Sequence, residues 1–190
     1  SEGNEIWNYF YRENDFSVGG GMIRGQTTLD GGYILGGGID IPVVKLNADR
    51  TLDWSKSYSS LFPEQYFHSN TDIIQTLDGG YILLGTAWNP MITYLIKLNS
   101  EGEVIWNKTW DEVVSIWGDI IETLDGGYLF GNGFGEMVKT DSEGNEIWKE
   151  NVCGGYISDA IRQTSEGEYV MVCGNDNIVK VNSEGNEIIW

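Results

Sequence analysis

The phrase TLDGGYILLG at residues 76–85 constrains this chain more than any other stretch, because it recurs. It stands at residues 28–36 as TLDGGYILG, at 123–131 as TLDGGYLFG, and in a looser form at 164–174 as TSEGEYVMVCG. The tyrosines Tyr33, Tyr81, Tyr128 and Tyr169 are spaced by 48, 47 and 41 residues. Self-similarity at such a period means a repeat architecture, in which each unit buries its apolar face only against its neighbours.

Each repeat divides into four short segments, a to d. The a segment is a brief, partly β-branched run, as in DIIQT (72–76) and DIIET (119–123). An Asp-Gly turn follows; between two such runs it predicts a hairpin with positive φ at both central positions. The b segments, such as YILL (81–84) and YVMVC (169–173), are continuously apolar, so both faces are covered. They are too short for ordinary helices, and their aromatic and β-branched content favours strands. The c segments each carry a lysine: VVKLN (43–47), LIKLN (95–99), MVKTD (137–141) and IVKVN (178–182). The d segments read SEGEVIW (100–106), SEGNEIW (142–148) and SEGNEIIW (183–190), with a drifted copy, ADRTLDW, at 48–54. Gly102, Gly144 and Gly185 between c and d suit a type I turn followed by a left-handed residue. Arg50 holds that place in the first repeat. A left-handed arginine costs on the order of 1 kcal/mol, so a different loop is expected at that corner.

Four antiparallel strands per repeat, joined by hairpins and buried on both faces, is the pattern of a propeller blade. The expected fold is all-β: a four-bladed β-propeller built from four-stranded antiparallel blades, in a single domain over residues 1–190. The blades are expected at about 11–59, 60–111, 112–153 and 154–190, with residues 1–10 as an extra d-type strand. An open β-solenoid or a pair of β-sandwiches fits less well, because solenoid coils are shorter and sandwiches do not repeat at this period.

The phrase T-x-DGGY-[IL]-x-x-G, a lysine-bearing strand, then S-x-G-N-x-x-W-x-K resembles the tandem repeats of large secreted bacterial and archaeal β-propeller proteins. Residues 29–54 also look like related short repeats with L-x-DG-[KG] and [KR]-L-N-x-DG turns. The resemblance covers nearly the whole chain. It implies an extracytoplasmic setting, extracellular or at the cell surface, and nothing about catalysis; such repeats are often surface or adhesive modules.

Charge narrows the partners. Lys and Arg number 11 against 29 Asp and Glu, a formal net of -18. So acidic a surface repels phosphate backbones and anionic lipid, and attracts cations or a basic partner. Nucleic acid is therefore not expected as a partner. No run of about 18 apolar residues is present, so membrane insertion is not expected either. Residues 1–10 read as a d segment rather than a leader, and a chain opening inside a repeat fits a processed or trimmed form.

The four a-b-c triplets are accompanied by five d segments, with tryptophans Trp7, Trp54, Trp106, Trp148 and Trp190. One d strand is surplus. It could be exchanged between subunits by β-strand addition, at either terminus. Head-to-tail donation of that kind runs on into a filament unless its rotation closes a ring. Alternatively, the chain is a segment of a longer array, or the extra strand covers a blade edge. The candidate assembly strands carry Asn4, Ile6, Trp7, Asn186, Ile188 and Trp190.

Residues that suggest chemistry mostly have structural explanations. Lys45, Lys97, Lys139 and Lys180 hold one position in every repeat, which fits a stem packed along the d tryptophan with its head at an acidic neighbour. Asp30, Asp78 and Asp125 suit their turns, and one carboxylate per turn falls short of the six to eight oxygens calcium takes. No cofactor is expected, beyond weak calcium binding at the acidic surface. His68 has no partner motif, and adjacent acids such as Asp111 and Glu112 are frequent in so acidic a chain. Catalytic residues are therefore not assigned. Cys153 and Cys173 come to the same end of one hairpin, where either a disulfide or two buried thiols fit; a bond closing a loop of about 20 residues is worth roughly 3 kcal/mol. Asn107 begins the sequon NKT, a glycosylation acceptor if the protein is secreted. The aromatic inserts, with Tyr66, Phe67 and Trp88, form a candidate ligand face where the repeats differ.

The expected function is a non-enzymatic extracellular structural module that self-assembles into a filament by terminal-strand exchange. The alternatives are a ligand- or carbohydrate-binding propeller, or a fragment of a larger surface repeat protein.

Overall fold

The computed structural model describes residues 24–38, 40–63, 66–67, 72–88, 92–111, 119–131, 133–155, 157, 161–174 and 177–186. Asn4, Ile6, Trp7, Ile188 and Trp190 lie outside them, as do His68 and Glu112.

Four antiparallel sheets form, one per repeat. Blade one is β1 (Arg24–Thr27), β2 (Tyr33–Gly36), β3 (Pro42–Leu46) and β4 (Leu52–Ser57). Blade two is β5 (Tyr66–Phe67), β6 (Asp72–Gln75), β7 (Tyr81–Trp88), β8 (Ile92–Leu98) and β9 (Val104–Asp111). Blade three is β10 (Ile120–Glu122), β11 (Tyr128–Gly131), β12 (Glu136–Thr140) and β13 (Glu146–Asn151). Blade four contributes β14 (Arg162–Gln163), β15 (Tyr169–Cys173) and β16 (Asn177–Val181). Strand order within each sheet follows the chain, except that β5 and β6 both pair with the long β7. Among the described residues the one helical element is a 3-10 turn, Ser59–Leu61. The architecture is a four-bladed β-propeller.

The a–b turn departs from expectation. Gly31 N–H donates to the Thr28 carbonyl and Thr28 N–H to the Gly32 carbonyl, both at 2.9 Å, and the same pair of bonds recurs at Thr76 and Thr123. Leucine and aspartate are thus the central residues of the turn, and only the following glycine has positive φ (80° at Gly31, 83° at Gly79, 80° at Gly126). The tyrosine-opening strand restarts after a left-handed glycine, a three-residue type of hairpin rather than the two-residue type with two positive φ values. The next glycine is a matter of space. A Cβ on Gly80 would lie 2.3 Å from the Leu98 carbonyl and 2.8 Å from Lys97 Nζ.

That lysine is the buried centre of blade two, as Lys45 and Lys139 are of blades one and three, and Lys180 is half-buried in blade four. Lys97 lies opposite Trp106 across β8 and β9, as Lys45 lies opposite Trp54 and Lys139 opposite Trp148. Its ammonium reaches Asp78 at 2.8 Å and Thr76 Oγ1 at 2.7 Å. Lys45 meets Asp30 at 2.7 Å and Lys139 meets Asp125 at 2.9 Å. In blade four Glu168 replaces the second glycine, and its carboxylate pairs with Lys180.

Blades join through the d tryptophan. Trp54 packs edge-on to Tyr81 of the next blade with ring centroids 5.8 Å apart, Trp106 onto Tyr128 at 5.9 Å, and Trp148 onto Tyr169 at 6.2 Å. Each indole also lies on the c–d glycine of that next blade. A Cβ there would stand 2.8 Å from Trp54 at Gly102, and 2.7 Å from Trp106 at Gly144 and from Trp148 at Gly185.

Arg50 is a second correction. Its φ is +73°, and its N–H donates to the Asn47 carbonyl at 2.8 Å, the conformation of Gly102 and its counterparts rather than a different loop. Asp49 Oδ1 accepts from Thr51 N–H at 3.0 Å and from its hydroxyl at 2.6 Å, and these local bonds offset the steric cost.

Glycines with the same φ should respond differently to a methyl group. Nothing lies within 4 Å of a Cβ on Gly79, so Gly79→Ala should lose about 1 kcal/mol, the left-handed cost alone. Gly144→Ala adds a collision with Trp106 and should lose a further 1–3 kcal/mol or so. Urea unfolding of the two variants measures the difference.

Candidate functional site

The innermost strands β1, β6, β10 and β14 supply the walls of a cavity of about 560 Å³. Five charged side chains line it, Arg24, Asp72, Asp119, Glu122 and Arg162, among apolar ones that include Ile73, Ile120 and Leu77. The geometry follows from strand register. Thr27, Gln75, Glu122 and Gln163 all lie opposite the first tyrosine of b, so Arg24, Asp72 and Asp119 are equivalent positions three residues earlier.

Both aspartates bind a backbone N–H of the next blade. Asp72 accepts from Ile73 N–H at 2.9 Å with Oδ1, and from Ile120 N–H of blade three at 3.2 Å with Oδ2. Asp119 repeats the second bond one blade on, accepting from Ile161 N–H at 3.1 Å and from Arg162 Nη1 at 3.2 Å. Burial, then the neighbouring Asp119 carboxylate, pushes the Asp72 pKa up to about 6; the Ile120 N–H and Arg24 pull the other way. Two carboxylates in contact in a polar cavity can hold and release one proton. One oxygen of each accepts from a blade-joining N–H group, and that work is structural. Among the described residues no cluster of three or more metal-ligating side chains occurs.

A second set of bonds crosses between blades at the a–b turns. Leu29 N–H donates to Gln75 Oε1 at 2.7 Å, Leu77 N–H to Glu122 Oε2 at 2.7 Å, and Leu124 N–H to Gln163 Oε1 at 2.8 Å. The turn carboxylates are held in their charged form. Hydrogen bonds from Lys45, Thr28 and Gly32 keep Asp30 well below the usual carboxylate range. Asp78 is lowered to about 2 by Lys97, Thr76 and Gly80, against the opposing effect of burial.

The other singled-out residues fall in separate places. Cys153 and Cys173 form a disulfide, with Cα atoms 5.4 Å apart. Backbone pairing sets Tyr66 opposite Trp88 and Phe67 opposite Ala87 at one end of blade two. Asn107 is exposed on β9, and Asn186 lies in the last c–d turn, donating its N–H to Asn182 Oδ1 at 3.2 Å. The structure does not gather these into one site. Sequence reading gave no role to Asp72 and Asp119, although Asp-Ile-Ile recurs nine residues before Tyr81 and Tyr128; that recurrence was the available signal.

No family model matches this chain, and no curated protein does. Solved structures do. The WD40 β-propeller domain of Doa1 is similar at a TM-score of 0.58 and 9% identity, over 84% of this chain and 50% of that one. BBS1N, solved in complex with ARL6DN, is similar at 0.56 and 13% identity, over 84% of this chain and 49% of that one. The chain is a β-propeller. At such identities the likeness is one of fold, and the propeller here spans about half the length of these two.

Two measurements follow. Below about pH 4 Asp72 is protonated whether the chain is folded or not. Between about 4 and about 6 the folded chain keeps a proton that the unfolded chain has released, so this group's contribution to stability falls as pH rises through that window. Asp72→Asn should flatten the slope of unfolding free energy there. Below pH 4 Asp30, Asp78 and Asp125, all lowered, should dominate with the opposite sign, and stability should drop on further acidification. Separately, reducing the 20-residue Cys153–Cys173 loop should cost roughly 3 kcal/mol, read from denaturation with and without reductant.

Proposed function

We propose that this propeller is a non-enzymatic extracellular structural module that associates with copies of itself by exchanging a terminal d strand beside blade one, and so extends into filaments. The carrying observation is the asymmetry of the blade faces. Blades two, three and four each receive a tryptophan on a bare glycine and return a Gln or Glu to the preceding turn. Blade one has Arg50 in place of the glycine, and Thr27 in place of the Gln or Glu. A Cβ at that place excludes the seat used by the other three indoles. A d strand beside blade one lacks both anchors, and two segments, residues 1–10 and 183–190, carry the sequence for it. The least anchored strand is the one most readily exchanged, and strand addition supplies affinity through main-chain hydrogen bonds.

The disulfide supports an oxidising compartment. The net charge of -18 opposes unspecific association, which leaves a specific strand exchange as the route to contact. A ligand- or carbohydrate-binding role is the second reading, supported by the pairing of Tyr66 with Trp88 at one end of blade two.

Negative-stain electron microscopy tests the first reading. The full chain should form filaments, and a chain lacking residues 1–10 should not. Single compact particles from both would defeat strand exchange. Installing both anchors, with Arg50→Gly and Thr27→Gln together, should hold the terminal strand in its own subunit and shift sedimentation toward monomer.

A further inference from the structure

Leu29, Leu77 and Leu124 are the most exposed large apolar side chains among the described residues, at 82%, 83% and 72%. They hold one position, the residue after the threonine of each a–b turn. The turn uses this residue's N–H, which the next blade's Gln75, Glu122 or Gln163 binds. It has no use for an apolar side chain. Blade four carries Ser165 there and closes with the same bonds, Thr164 N–H to the Glu168 carbonyl at 2.8 Å and Gly167 N–H to the Thr164 carbonyl at 3.0 Å. Three leucines are therefore displayed, one on each of blades one, two and three, on turns fixed by hydrogen bonds from within and from the neighbouring blade.

Their surroundings are negative. The a–b and c–d corners share one end of each blade: a Cβ on Gly31 would sit 3.6 Å from the Ala48 Cβ. Asp49, Glu101 and Glu143 are exposed at those corners, whereas Lys45, Lys97 and Lys139 are buried beneath the turns. Basic groups also reach these corners: Arg50 is exposed beside Asp49, Lys56 Nζ donates to the Glu101 carbonyl at 2.7 Å, and Lys108 Nζ donates to Asn145 Oδ1 at 3.0 Å. With Glu103 also exposed, carboxylates stay in excess, and the face sets apolar studs in a net negative field. A second copy of the chain would bring like charge against like charge, and so would anionic lipid or a phosphate backbone.

We infer that this face docks a cationic peptide segment carrying apolar side chains, whose apolar residues cover Leu29, Leu77 and Leu124 while its Lys or Arg residues meet the corner carboxylates. The inference is separate from strand exchange, since none of these residues lies in the terminal segments.

The test titrates the full chain with two labelled peptides of about 14 residues, one alternating lysine with leucine and one alternating lysine with serine. Their charge is equal, so plain electrostatic attraction cancels. The lysine–leucine peptide should bind roughly ten-fold tighter or better. In the triple variant Leu29→Ser, Leu77→Ser, Leu124→Ser, the two peptides should bind alike. Serine already closes this turn in blade four, and an unchanged melting temperature confirms that the variant is folded. Equal binding of both peptides to the unaltered chain, or a preference that survives the triple variant, would overturn the assignment.

Discussion

An indole laid on a glycine is the contact on which this propeller depends. A blade of four short strands cannot bury two apolar faces alone, so stability resides largely in the joints between blades. At each described joint the tryptophan stands on the last strand of one blade and covers the tyrosine that opens the b strand of the next. The glycine beneath it supplies two things at once. Its left-handed φ turns the corner, and its missing side chain admits the ring. Either requirement alone would leave other residues eligible; together they leave glycine.

Within a blade the corresponding device is the lysine on the third strand. A buried ammonium is expensive unless its hydrogen bonds are met. Here a turn carboxylate, a threonine hydroxyl or a main-chain carbonyl meets them. The second glycine of each Asp-Gly-Gly turn leaves room for the facing main-chain carbonyl and, beside it, for the ammonium. Blade four replaces that glycine with Glu168 and moves the countercharge onto the new side chain, keeping Lys180 paired by another route. The ion pair thus fixes the turn, and the turn fixes the hydrogen bond that reaches back from the next blade.

Much of this was legible in the sequence. The period, the four segments, the shared lysine and the c–d glycines predicted blades and corners, because each repeats against a varying background and is dictated by local sterics. Two conformations were read wrongly. The Asp-Gly pair suggested a two-residue turn, but the leucine before it belongs to the turn's centre. Arg50 suggested a changed loop, but Asp49 and Thr51 hold the original one. The aspartates of the inner strands stayed without a role because their partners, Ile120 and Ile161, sit over 40 residues away on the next blade. Contacts between blades have no local signature, and an aspartate in a short strand looks like any other in a chain with 29 acidic residues.

The joint also has a direction, since blades two and three each offer a ring on one side and a bare corner on the other. Tandem copying of blade two or blade three would give descendants whose new joints are complete from the start. A copy of blade one placed downstream would break the series, because Arg50 would arrive where a bare corner is required. Lengthening of such an array is therefore biased toward copies of the glycine-bearing units.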